Sequence, residues 1–467
     1  VIFVLKYLCK KTHLNWNTLL SAKRWGDLES PLFTDPYRNP FERDYDRILF
    51  NAYFRQLQNK TQVIPLPEET FVHNRLTHSL EVASVGRSLG KKVGINLMKR
   101  NPELKTIGDL GGYFGAIVSA ASLAHDIGNP PFGHAGEKAI GEYFSHGKGK
   151  QFESSLAAGE WTDLTRFEGN ANGFRMLNTS LSGIPGGTRL TYATLGAFTK
   201  YPKESISTGF PGASQKKYGF FQSEKSLFKA IARELTLIDI NHKDTVAFKR
   251  HPLAFLVEAA DDICYTIIDF EDGYRLGIIS FEQFEHLVMP LCENTLDKVR
   301  YAHIQDEGER VNYLRAHAIN ALVEEISIVF FKHEKQILSG DWDQSLIKGT
   351  DLSETTEKII SLSVKELYHH PAVIDRELAG FEVLQGLLDI FIQAMESMHA
   401  GTPSSYEKLV VKKLPDSCFA PLRKPLSERY LRLLSIACYV ASLTDEQAIQ
   451  KYRQFKGIEF PHLNRLK

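Results

Sequence analysis

The chain has 467 residues, 43% of them hydrophobic and 24% charged, the balance of an ordinary folded protein, which excludes disorder over most of the length. Lys and Arg number 56 against 56 Asp and Glu, so the formal net charge is zero and a strongly basic nucleic-acid binder is excluded. Five cysteines (Cys9, Cys264, Cys292, Cys418, Cys438) are odd in number and lack any CxxC pair, which excludes a disulfide framework or zinc ribbon and predicts reduced, packed thiols in a cytoplasmic protein.

Along the chain, residues 1–9 are apolar but too few to span a bilayer, and no uninterrupted apolar run reaches the required length of about 20. No membrane association is expected. Residues 1–14 read as an extra segment outside the fold, which is expected to begin near Asn15-Trp16 with an arm over 15–42. Apolar residues at helical spacing predict helices over 43–58, 79–100, 112–126, 224–240, 253–272, 310–334, 353–367, 380–398, 427–442 and 444–456. Strand-like runs are few, the best at 61–64 and 408–412. Turn-forming composition makes 145–222 an irregular insert, with 205–217 expected as surface padding. The predicted fold class is all-α with minor short β-hairpins: a helical core over 43–280 and a helical C-terminal region over 281–467. The faces at 380–398 and 427–442 read as more apolar than one chain covers, a pointer to subunit contacts.

Three distant segments carry polar residues that packing does not explain. They are His73-Asn74-Arg75-Leu76-Thr77-His78, the run from His125-Asp126-Ile127-Gly128-Asn129 to His134-Ala135-Gly136-Glu137, and Glu258-Ala259-Ala260-Asp261-Asp262 continuing through Tyr265 to Asp269. An apolar, Ala-rich helix ends in His125-Asp126. Burying that pair is costly unless something partners it, and a divalent ion takes both neutral imidazole and carboxylate. Gly128, Pro130, Pro131 and Gly133 then turn the chain sharply, which can return His134 to the same place. At about 100° per residue, Asp261, Tyr265 and Asp269 share an arc of roughly 80°. Asp262 reads as part of a solvated face. So do the pairs Lys91-Lys92, Lys216-Lys217 and Lys412-Lys413.

A His, then His-Asp, then a distant Asp is the pattern of the HD-domain metal-dependent phosphohydrolases. It makes His78, His125, Asp126 and Asp261 the candidate ligands of one divalent metal ion (Mn, Mg, Co, Ni, Fe or Zn). The chain resembles more closely the bacterial deoxyguanosine triphosphate triphosphohydrolases, the dGTPase-like branch of those proteins. The resemblance rests on the segments above together with Phe54 to Val63, Phe167-Glu168-Gly169-Asn170-Ala171, Thr191 to Ala197, and Leu443-Thr444-Asp445. It implies hydrolysis of a dNTP, dGTP foremost, to deoxynucleoside and inorganic triphosphate. It implies His134 and Glu137 as catalytic residues. Arg75 and Lys200 would contact phosphate, Gln62, Tyr265 and Asp269 the sugar, and Asn170 the nucleotide. It also implies a homo-oligomer, hexamers among the forms, with a nucleotide activator or single-stranded DNA as effector. Asn129 stands where many relatives carry a further histidine and argues for a single metal. The competing readings are another HD-type nucleotide phosphohydrolase or phosphodiesterase, and a scaffold that binds nucleotide or single-stranded nucleic acid without turnover.

Overall fold

A computed structural model describes residues 13–27, 35, 37–62, 72–179, 187–207, 212–241 and 244–458. The segment 1–12 and the second half of the predicted 61–64 strand lie outside the described residues. Thr61 itself makes an isolated antiparallel bridge to Asn74.

Side-chain caps set the helix boundaries. Asn39 accepts from the Phe41 and Glu42 amides and opens α1 (Pro40–Leu49). The helix predicted over 43–58 is cut here, because Asn51 is extended and its side chain caps a new helix, Ala52–Gln56. Asn74 accepts from the Leu76 and Thr77 amides in a capping box, so α2 (Arg75–Arg100) starts earlier than predicted and carries His78 on its first turn. Beside it runs α3 (Leu110–Ala124). The two approach closely: a Cβ at Gly90 would stand 2.5 Å from the Phe114 carbonyl oxygen. Then come α4 (Gly133–Ser145), α5 (Gly169–Asn178), α6 (Ala254–Arg275), α7 (Pro371–Ala400) and α8 (Asp445–Phe455).

Buried apolar residues form two clusters. The larger lies among α2, α3, α6 and Glu307–Leu338, with Leu89, Val93, Phe114, Ile117, Ile263, Ile267 and Leu322 fully buried. The second joins α4, α7 and Arg429–Ser442. The turn after α3 passes from one to the other, with Ile127 in the first and Phe132 in the second. Asp445, at the start of α8, pins this turn. Its carboxylate accepts from the Phe132 amide at 2.9 Å and the Thr61 amide at 3.0 Å, and it pairs with Arg376. Those bonds hold Phe132 in the left-handed region, at φ 64°.

Several expectations are corrected. Residues 408–412 are helical, within Ser405–Val411, because the Ser404–Glu407 capping box outweighs the strand preference of Val410 and Val411. The helix predicted over 224–240 ends at Glu234, with Thr236 at φ 51°. The stretch 145–222 is not irregular throughout, since it carries Ala158–Thr165, α5 and Tyr192–Phe198. Within 205–217, Ser205, Ser207, Ser214 and Gln215 are buried, and Ser214 bonds Asp343. Leu14, expected outside the fold, is buried and its amide donates to the Leu338 carbonyl.

By length and composition α7 could cross a membrane, with an 18-residue window of mean hydropathy 1.4, although charged residues interrupt it. Half of that window is buried within the chain. Leu384, Leu387, Leu388, Phe391 and Ile392 pack there against Leu433, Leu434 and Ile436. The apolar faces at 380–398 and 427–442 thus cover each other, and they do not carry the argument for subunit contacts. Cys264, Cys292, Cys418 and Cys438 are free and buried.

Candidate metal and nucleotide site

Three elements bring the three distant segments together. His78 comes from the first turn of α2, His125 and Asp126 from the end of α3, and Asp261 from α6. Asp261 Oδ1 lies 3.3 Å from His78 Nε2 and 3.5 Å from His125 Nε2. One ligand atom each from His78, His125 and Asp261 falls within 4.8 Å of the others. Two ligands bound at about 2.1 Å to one ion stand roughly 3–3.5 Å apart, so the spacing fits a single divalent ion. His125 Nδ1–H donates to the Ser122 carbonyl at 2.7 Å, which leaves the Nε2 lone pair turned to the group. His78 Nδ1 is buried without a hydrogen-bond partner. Asp126 Oδ1 lies 3.4 Å from His125 Nε2 and also accepts from Asn129 Nδ2, while its Oδ2 takes the Arg75 guanidinium at 2.7 Å.

The electrostatics suit a cation. Burial would push the Asp126 carboxyl up, but Arg75 and the two imidazoles outweigh it and hold it near 2. Asp261 is held low in the same way by His125, His78 and Lys200 against its burial. Burial would lower His78, yet the Asp261 hydrogen bond and the charges of Asp269, Asp261 and Asp126 raise it. The two carboxylates therefore stay ionised beside the imidazoles, the state that a cation needs of its ligands.

His134 opens α4. Its Nδ1 lies 2.7 Å from Glu137 Oε2, one helical turn on, and its side chain is 77% exposed. Glu137 is half-buried and also accepts from the Gly169 amide at 2.7 Å. Burial would raise the Glu137 carboxyl, but His134, Lys217 and that amide bring it below the ordinary range. The preceding turn presses on α5 so tightly that a Cβ at Gly128 would overlap the Gly169 carbonyl and the Gly173 amide.

Around this group lies a cavity of about 460 Å³. Of the residues singled out in the sequence, Gln62, Arg75, His78, His125, Asp126, His134, Asn170, Lys200, Asp261, Tyr265 and Asp269 line it, and Glu137 backs His134. Asn170 Nδ2 donates to Glu168. Arg75 is buried rather than a surface charge. Asp269 Oδ2 accepts from the Tyr368 hydroxyl at 2.7 Å, and burial pushes its carboxyl up to about 7. The rings of Tyr265 and Tyr368 stack at 5.7 Å.

Sequence reasoning missed Tyr201, Lys217, Tyr368 and the role of Glu258. Lys217 is not on a solvated face: its Nζ lies 3.2 Å from Glu168 and 3.7 Å from Glu137, beside the cavity. Asp262 is likewise not solvated, since it accepts from Ser345 Oγ at 2.5 Å and lines the cavity. A charged doublet between Gln215 and Tyr218 gives no sign of such neighbours. Tyr368 ends the π-helical turn Val364–Tyr368, far from every motif.

His73 braces the site from behind. Its ring bonds Asp272 of α6 at 2.7 Å and Glu81 of α2 at 3.1 Å, tying the helix of His78 to the helix of Asp261. Burial would lower this imidazole, but the two carboxylates push it up to about 10. A raised pKa stabilises the fold fully below the unfolded value near 6.5 and is lost as pH climbs through 10. We expect His73→Gln to cost about 2–4 kcal/mol at pH 6.5 and much less at pH 10. Urea midpoints of both proteins at the two pH values check this, and an equal deficit at both contradicts it.

An HD domain model matches residues 75–164. With helices converging on two histidines and acidic partners, the fold and site define an HD-domain phosphohydrolase. A deoxyguanosinetriphosphate triphosphohydrolase-like protein of Synechocystis sp. is 42% identical over 455 residues, covering 95% of this chain and all of the relative. A protein of the same name from Pseudomonas aeruginosa is 35% identical over 456 residues, covering 96% and 100%. The deoxyguanosinetriphosphate triphosphohydrolase of Enterobacter sp. is 30% identical over 519 residues, covering 96% and 99%. The chain belongs to the dGTPase family of HD-domain proteins.

Proposed function

We propose that the protein hydrolyses deoxynucleoside triphosphates, dGTP foremost, to deoxynucleoside and inorganic triphosphate. The observation that carries this reading is the meeting of the His78, His125 and Asp261 ligand atoms with Arg75, Lys200 and Lys217 on one cavity. His78, His125 and Asp261, with Asp126 beside them, would hold a divalent ion, which when bound would supply Lewis-acid chemistry for the α-phosphate and for the attacking water. In the reaction a water oxygen bonds to the α-phosphorus and the bond to the sugar 5′-oxygen breaks. His134, oriented by Glu137, delivers the proton that the departing 5′-oxygen needs. Arg75, Lys200 and Lys217 balance the polyphosphate charge, and Asn170 contacts the nucleotide. Gln62 Oε1 and Asp269 Oδ1 are buried without partners and line the cavity, which supports their use as acceptors for sugar hydroxyls. Tyr265 lines the cavity stacked on Tyr368, which supports its use as the wall that excludes a 2′-hydroxyl. The free buried thiols support a reducing, cytoplasmic setting.

Incubation with each dNTP and NTP plus manganese or magnesium, followed by product chromatography, tests the reading. The expected products are deoxynucleoside and tripolyphosphate, with ribonucleotides turned over poorly. Release of orthophosphate or pyrophosphate assigns a different HD-type hydrolase, and binding without turnover assigns a scaffold.

A further inference from the structure

We propose that Arg250, away from the reacting centre, is a positioning residue that keeps the charge of Lys200 available to a polyphosphate; this rests on the triphosphohydrolase reading. Arg250 touches the Lys200 backbone directly and reaches its ammonium through Glu258. Its Nε donates to the Lys200 carbonyl at 2.7 Å. Its Nη1 donates to Glu258 Oε2 at 2.7 Å and its Nη2 to Oε1 at 3.4 Å. That same Oε1 lies 3.3 Å from Lys200 Nζ. The Arg250 side chain is 1% exposed and that of Glu258 6%, whereas Lys200 at 27% opens on the cavity.

A carboxylate on an apolar helix costs several kcal/mol to bury, and an apolar residue packs there as stably. Stability alone therefore gives no reason for Glu258. The charge count gives one. Arg250 and Lys200 supply two positive charges and Glu258 one negative, so one positive charge remains; Lys200 and Glu258 both line the cavity, and Lys200 is the more exposed of the two, so it is the member that presents this charge. Without Arg250, Glu258 would hold Lys200 as its sole partner and the pair would sum to zero. The lysine ammonium, already 3.3 Å from Glu258 Oε1, would then be held there by a carboxylate with no other cation to share. The planar guanidinium fork suits Arg250 to hold a carboxylate and a carbonyl together. Asp261, Asp262 and Tyr201 also act on Lys200, but they are unchanged in the variants below.

The test uses the full chain with metal bound, comparing wild type, Arg250→Met, Glu258→Gln and the double variant. dGTP is the substrate and inorganic tripolyphosphate the competing probe. Arg250→Met is expected to raise KM and the tripolyphosphate inhibition constant by about tenfold or more, with kcat within about threefold. Adding Glu258→Gln to it is expected to bring both constants back towards wild type, because an amide needs no neutralising cation. A wild-type KM in Arg250→Met, or a double variant no better than that single one, overturns the proposal. Should Arg250→Met not fold, Glu258→Gln alone decides: tripolyphosphate binding as tight as wild type or tighter is expected, and a clear weakening overturns the proposal. Wild type is assayed first, and its failure to release tripolyphosphate from any dNTP overturns the underlying reading instead.

Discussion

His125→Ala is expected to remove manganese binding and reduce dNTP hydrolysis to background while the helical fold persists. His125 follows a helix whose last two turns, residues 117–124, are buried, so its side chain is spare to the core; it is 14% exposed and faces the cavity. Its Nδ1–H is committed to Ser122, which leaves Nε2 fixed in direction before any ion arrives. Losing an outer partner of a ligand typically weakens a metal 10–100-fold, so losing the ligand itself should exceed about 100-fold. The check does not depend on turnover. An ion at 100 times its dissociation constant stabilises the folded state by about 2.7 kcal/mol, so manganese should raise the melting temperature of wild type and not of the variant. Asp126→Ala is expected to behave alike, with a further cost because Arg75 loses its buried partner. Equal thermal stabilisation of His125→Ala and wild type by manganese would remove His125 from the ligand set.

How much of this was legible in the sequence follows from where each signal lives. His78, His125, Asp126 and Asp261 are conspicuous because imidazoles and carboxylates sit in apolar, helix-forming surroundings, and that incongruity is local. The entry of α2 was readable too, since Asn74 is a good cap placed ahead of a long apolar pattern. Reading the helix from 79 ignored that cap and left His78 outside it. Strand preference at Val410 and Val411 lost to a capping box. The partners supplied by the fold were not legible. Lys217 meets Glu168 across 49 positions and Tyr368 meets Asp269 across 99. Arg250 and Glu258 are only eight positions apart, but the first precedes α6. Their meeting depends on how the chain enters that helix. Family resemblance singled out Gln62, Asn170 and Lys200, which their own neighbourhoods do not suggest, and the fold brings all three to the cavity. It did not extend to the charge balance around Lys200, which only the fold displays.

His134→Ala is expected to keep metal binding and thermal stability yet lower kcat by about 10²–10⁴-fold, the usual contribution of a positioned acid or base. The separation is argued from placement. No hydrogen bond joins His134 to His78, His125, Asp126 or Asp261 among the described residues, and its ring is largely exposed, so little packing is lost with it. Its Nδ1 is engaged by Glu137, itself held by the Gly169 amide, so Nε2 is the free end. A sugar 5′-oxygen leaves poorly unless it is protonated as the bond breaks. The deficit should therefore shrink when the leaving group is an aryl oxide that departs without a proton. Glu137→Gln should give a smaller loss, because the amide can still hold the ring but cannot stabilise its cationic form. Thermal shift with manganese, kcat on dGTP and kcat on an aryl ester of a nucleotide separate these contributions. A His134→Ala enzyme within about tenfold of wild type on dGTP would mean that the proton comes from elsewhere.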